Sequence, residues 1–125
     1  MFRVHADSRN NLLSIEFHSQ LGLKEISQCL ERIYNERKNF TSDYNTIVRL
    51  KENLVFVDEA QTKIDLTIFT GKLRRLKKTV IVYPEHCQTS KHTAEKLHQI
   101  CTECDVLSYL TVSEVEAKRL LGILW

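Results

Sequence analysis

A mixed, mostly parallel five-stranded sheet with four helices, an α/β fold, is written into this chain in three ways. Short apolar runs rich in β-branched residues alternate with longer stretches whose apolar residues recur every three or four positions. Gly (3) and Pro (1) are scarce among the 125 residues, which argues against a turn-dense all-β sandwich. The length fits one domain spanning residues 1–125, and a chain of this size buries roughly two-thirds of its unfolded surface without needing disulfide or metal staples.

Phe2 to His5 reads as a short strand and Ser8-Arg9-Asn10-Asn11 as a turn. Leu13, Ile15 and Phe17 then alternate with Ser14, Glu16 and His18, the period-2 signature of a half-buried strand that completes a hairpin. From Leu23 to about Arg37, Ile26, Cys29, Leu30, Ile33 and Tyr34 mark one face of an amphipathic helix. Tyr44 to Leu50 is a strand; Lys51-Glu52-Asn53 interrupts it, and Leu54 to Val57 resumes the apolar run. Asp58 can N-cap the second helix, with Val57, Ala60, Gln61, Ile64 and Ile68 as its stripe and Gly71 as its stop or break. Thr79 to Tyr83 is a buried strand closed by Pro84. Thr89 or Ser90 can cap a third helix carrying Ala94, Leu97, Ile100, Cys101 and Cys104, which Asp105 breaks. Val106 to Leu110 is the last strand. Ser113 and Glu116 form a capping box for a final helix with Ala117, Leu120, Leu121 and Leu124 buried. The order ββαβαβαβα contains successive βαβ units, which imply parallel strands joined by right-handed crossovers.

Lys+Arg (18) nearly balance Asp+Glu (16), so the chain lacks the strongly basic character of a nucleic-acid-binding protein. One local excess stands out: Lys72, Arg74, Arg75, Lys77 and Lys78. It reads either as a solvated helix end, where cations complement the dipole, or as a surface for an anionic partner. No apolar run reaches the ~20 residues of a membrane-spanning helix. The N-terminus lacks a signal-peptide core, so the expected location is the cytoplasm and the four cysteines are expected as free thiols.

Ile15-Glu16-Phe17 in the second strand, Tyr44 through Asp58 across the third strand and into a helix, and Val106 to Leu124 as a final strand and short aliphatic helix form a pattern over nearly the whole chain. In this it resembles the STAS domains of bacterial anti-sigma-factor antagonists, and more narrowly the SpoIIAA-like proteins. The resemblance implies a non-enzymatic regulatory or binding module that needs no cofactor. It would engage a protein partner near the start of the second helix, at Asp58, Glu59, Gln61 and Thr62, or hold a small apolar ligand between sheet and helices. Regulatory members carry a phosphorylatable Ser or Thr at this turn. Here Ala60 falls at the phosphoacceptor position and Gln61 at the following glycine, so the turn offers a kinase no hydroxyl there. The permanent charge of Glu59 stands nearby, as it does at many helix starts.

Cys101-Thr102-Glu103-Cys104 is a C-x-x-C motif, but it ends a helix instead of opening one, where the dipole does not lower thiol pKa values. Its cysteines continue an apolar stripe and read as small core residues. His86, Cys87, His92, His98, Cys101 and Cys104 could hold zinc in principle, though their spacing matches no standard finger. Cys87, following a strand, with His86 or His92 nearby, is the alternative reading: a small cysteine-dependent enzyme. Nucleotide-loop and nucleophile-elbow motifs are absent. Asp58 and Asp65 read as a cap and a surface charge. Trp125 is expected to pack on the domain or to join a homodimer interface.

Overall fold

Phe2–Asp7 (β1) and Leu12–Phe17 (β2) pair antiparallel, from Phe2 against Phe17 to Asp7 against Leu12. The turn between them is held by Asp7, whose carboxylate accepts from the Arg9 and Asn10 N–H groups, and Asn11 takes the left-handed conformation (φ 49°) that closes it. Tyr44–Leu50 (β4), Leu76–Val82 (β6) and Leu107–Thr111 (β7) then add in parallel, giving the order β1-β2-β4-β6-β7. This is the expected mixed, mostly parallel α/β sheet. A second, two-stranded parallel ladder was not foreseen. It joins Gln20–Leu21 (β3) to Val55–Phe56 (β5), so the apolar run after Lys51-Glu52-Asn53 leaves the main sheet instead of extending it. The computed structural model describes residues 1–123; the expected roles of Leu124 and Trp125 lie outside the described residues.

Leu23–Glu36 (α1), Glu59–Lys72 (α2) and Gln88–Glu103 (α3) each connect adjacent parallel strands, always stepping toward β7. Right-handed crossovers stepping one way put every helix on the same face. The main core accordingly joins Ile26, Cys29 and Ile33 of α1 and Ala94 of α3 to Val4, Ile15, Val48 and Ile81 of the sheet. Those four strand residues form one row across the sheet, with Val4 opposite Ile15, Ile15 opposite Val48 and Val48 opposite Ile81. Only Glu114–Leu120 (α4) packs on the other face, where Ala117 and Leu121 meet Ile47, Val80 and Val82. Farther along that face the row Arg3, Glu16, Arg49 is charged. Arg49 reaches back to Glu114 at 2.7 Å, tying α4 to the sheet.

Helix ends follow local chemistry. Ser113 caps α4 by accepting from the Glu116 N–H at 3.1 Å, as its capping-box spacing implies. Asp105, in the left-handed region (φ 59°), ends α3 in a Schellman turn, with Val106 N–H on the Cys101 carbonyl and Asp105 N–H on Thr102. The N-cap of α3 is Cys87, neither Thr89 nor Ser90. The basic run does not form one helix end either. Lys72 closes α2, Arg74 and Arg75 connect, and Lys77 and Lys78 stand in β6, where Lys78 donates to the Leu120 carbonyl at 2.7 Å.

The apolar stripe expected for α2 faces outward. Val57, Ile64 and Ile68 are 67%, 52% and 54% exposed, whereas Thr62 and Leu66 are the residues α2 buries. Two faces of α2 carry apolar residues, and the spacing of Ile64 and Ile68 outweighed the single buried Leu66 in the sequence.

Ser90 secures the connection between β4 and β5. Its hydroxyl, wholly buried, donates to the Lys51 carbonyl at 2.5 Å and accepts from the Leu54 N–H at 3.2 Å. Ser90→Ala leaves both backbone groups without that partner, and the expected loss is about 2 kcal/mol of folding stability, read from denaturant midpoints. A loss within experimental error would show that the two groups find other partners.

Candidate functional site

All four parallel strands end on one side of the molecule, and the segments that follow them carry most of the residues singled out above. In open α/β sheets this is the side where ligands bind. Cys87 sits here because β6 ends at Val82, Pro84 cannot continue the ladder, and α3 begins at Gln88. Its sulfur receives the Asn53 N–H at 3.2 Å and lies 3.5 Å from the Ser90 hydroxyl. The Asn53 N–H, followed by the Ser90 hydroxyl and N–H, holds the Cys87 thiol pKa below its ordinary value; burial opposes this only weakly. The other cysteines go the opposite way. Burial pushes Cys29 up to about 12 and Cys101 up to about 11. Cys104 is also raised, by burial first and then by Glu103 and Asp105.

The histidines do not join Cys87. His86 is 93% exposed on its side chain and lies 3.9 Å from Glu85, while His92 contacts Glu59 at 3.1 Å. The sulfur's hydrogen-bond partners are Asn53 and Ser90, so neither imidazole is placed to take its proton. The candidate zinc residues are equally dispersed. His98 Nδ1 lies 2.6 Å from the Ser108 hydroxyl, and Cys104 donates to the Thr67 carbonyl at 3.5 Å. Among the described residues, no three His, Cys, Asp or Glu side chains come together as a metal site.

At the start of α2, Asp58 is the N-cap and accepts from the Gln61 N–H at 3.1 Å. Glu59 in the first turn faces α3, meeting His92 at 3.1 Å and Lys96 at 4.0 Å. Gln61 reaches down the helix to Asp65 at 2.9 Å. These three are exposed and contiguous with Val57, Ala60 and Ile64. Thr62 does not belong with them. It is wholly buried on the packed side of α2, and its hydroxyl has no partner. A hydroxyl four residues from an exposed cap reads as accessible in sequence; the helical turn carries it inward.

The sequence assigned no residues to the space expected between sheet and helices for a small apolar ligand. An apolar cavity of about 80 Å³ lies between the sheet and α1–α3. Ile15, Val48 and Ile81 form its floor; Cys29, Leu66 and Leu97 are among the helix residues around it. It exists because α2 brings few large side chains inward: Leu66 is its one buried aliphatic residue, with Phe69 half-buried. The excess of small or hydroxyl-bearing residues on that helix is the only signal the sequence offered.

Comparison with known protein families, curated proteins and solved structures gives no match for this chain.

Two outcomes are expected from this geometry. Iodoacetamide under native conditions should modify Cys87 well before Cys29, Cys101 or Cys104, with a rate that climbs with pH below the ordinary thiol range near 9. Equal labelling of all four, seen by peptide mass spectrometry, would contradict it. Thr62→Val removes a buried hydroxyl that has no partner and should raise stability by about 1 kcal/mol. A lower denaturant midpoint in that variant would mean that the hydroxyl is bonded.

Proposed function

We propose that this chain is a non-enzymatic binding module of the STAS, SpoIIAA-like kind, working in the cytoplasm, that takes a small apolar group into the cavity beneath α2. The cavity is the observation that carries the reading. At about 24 cal/mol per Å³, an empty void of 80 Å³ leaves roughly 2 kcal/mol of packing unrealised. A slim apolar occupant recovers it. The void is about half the size of an engineered apolar cavity that binds benzene, so its match is a short alkyl group or a comparably small molecule. Four free cysteines agree with a reducing compartment.

A second reading, contact with a protein partner, has its own support in the outer face of α2. There Val57, Ile64 and Ile68 are exposed beside Asp58, Glu59 and Gln61. A second copy of the chain is one such partner. The enzyme alternative has the lowered thiol pKa of Cys87 in its favour; against it, His86 and His92 contact Glu85 and Glu59 instead of Cys87.

Short alkanols such as butanol test the cavity. They should raise the thermal midpoint of the native chain at concentrations where Cys29→Met, which fills the void from α1, shows no rise. The midpoint of Cys29→Met alone should equal or exceed that of the parent. An equal response in both proteins would overturn the cavity reading and leave the outer face of α2 as the working surface.

A further inference from the structure

At the opposite end of the sheet from Cys87, α1 finishes and the α2–β6 connection returns to the sheet. Between them lies a hollow of about 240 Å³. Arg37 and Lys38 line it from the 3-10 turn after α1, Arg74 and Arg75 from the connection, and Phe40 and Tyr44 from the segment entering β4. Arg75 takes the left-handed conformation (φ 69°), uncommon for a residue with a side chain, and its carbonyl accepts from the Tyr44 N–H at 3.0 Å. This backbone link fixes the two arginines beside the tyrosine.

We propose that this hollow binds a phosphate-type dianion, the phosphate of a small phosphomonoester. Two observations carry the proposal. First, four cations surround one small space, and among the described residues none of them is ion-paired with a carboxylate. Glu36, the acid next to Arg37 in sequence, is taken by Arg32 at 3.1 Å and by Asn39 at 3.3 Å. Second, the Tyr44 hydroxyl and the Arg37 Nε are both buried atoms without a hydrogen-bond partner, and both residues line the hollow. Tyr44 as a whole is 3% exposed.

Cations at the C-terminal ends of two helices are also favoured by the helix dipoles. That explains the charge. It gives neither orphaned polar atom an acceptor: the Arg37 guanidinium stacks on the Tyr34 ring, 4.0 Å from its centroid, yet its Nε stays without a hydrogen-bond partner, and buried donors without acceptors are costly and uncommon. An Arg Nε–H can only donate, and burial, opposed by the Arg37 charge, holds the Tyr44 phenol above its ordinary pKa and so protonated at neutral pH. Two donors and three further cations around one space call for a compact, multiply charged acceptor. Phosphate oxygens meet that description, and arginine matches them in geometry as well as in charge. The Phe40 ring, stacked on Tyr44 with centroids 5.0 Å apart, walls the space against the carbon skeleton of an ester. The site stands independently of the apolar cavity, although Ile33 and Leu73, which line that cavity, precede Arg37 by one helical turn and adjoin Arg74.

Calorimetric titration of the full chain with inorganic phosphate, against chloride at equal ionic strength, tests the site. Saturable phosphate binding is expected, weakened about tenfold by Arg37→Gln and by Tyr44→Phe, and unchanged by Lys91→Gln on the exposed face of α3. Tyr44→Phe removes the orphaned hydroxyl, so its unliganded thermal midpoint should match or exceed the parent's, which separates lost binding from lost folding. Dodecyl phosphate below its micelle concentration distinguishes the source of the phosphate. An affinity equal to that of inorganic phosphate assigns the site to a free phosphomonoester. A gain of tenfold or more assigns it to an amphiphile headgroup whose chain reaches the apolar cavity. Phosphate binding no stronger than chloride binding would overturn the proposal, as would retention of parental affinity in both Arg37→Gln and Tyr44→Phe.

Discussion

The first turn of α3 holds the segment between β4 and β5, and the arrangement of this end of the sheet depends on that clasp. A connection buried between a sheet and a helix must find partners for its own N–H and C=O groups. Ser90 serves Lys51 and Leu54, Thr93 donates to the Leu54 carbonyl at 3.0 Å, and the Cys87 sulfur receives the Asn53 N–H. Leu54, wholly buried, is thereby pinned. With Leu54 fixed, Val55–Phe56 pairs with Gln20–Leu21, and Asp58 is delivered to the position where it caps α2. The same contacts that anchor the loop lower the Cys87 thiol pKa, so that shift is a by-product of how the chain is held.

The placement of α2 follows from this. Its start is joined to the clasped 51–58 segment and its end to the return to β6, so its height over the sheet is constrained at both termini as well as by its own packing. Thr62, Leu66 and half-buried Phe69 do not fill the space that this height leaves. The result is a core that stays open beneath α2, with α1 and α3 forming the other walls of the space. At the far end, the same helix and α1 bring their final turns together, and the positive side chains gathered there enclose a polar hollow adjoining that opening.

How far the sequence could be read depended on whether the signal was local. Strands β2, β4, β6 and β7 and helices α1, α3 and α4 announce themselves by periodicity and caps, since each satisfies a pattern within a dozen residues. Two-residue strands do not. Gln20–Leu21 and Val55–Phe56 become strands only because the Ser90 clasp brings them together, a long-range contact with no local trace. The inverted face of α2 has a similar origin: Ile64 and Ile68 give the stronger stripe, yet tertiary placement decides which stripe is covered. At the proposed partner turn, Asp58, Glu59 and Gln61 could be placed from capping logic, whereas the burial of Thr62 required the packed side of the helix to be known. The basic cluster was visible as composition. Its pairing with Arg37, Lys38 and Tyr44, some thirty residues away, was not.

The strands stand side by side in the order in which they are made. Each of β2, β4, β6 and β7 docks on a neighbour that is already in place, and no strand has to be inserted between two others. On a ribosome, where the amino-terminal part emerges first, this sheet grows at a single advancing edge, one crossover at a time. Closure of its second face waits for α4, which follows all five strands of the sheet in the chain. Until Ala117 and Leu121 arrive, Ile47, Val80 and Val82 lack the helix that covers them.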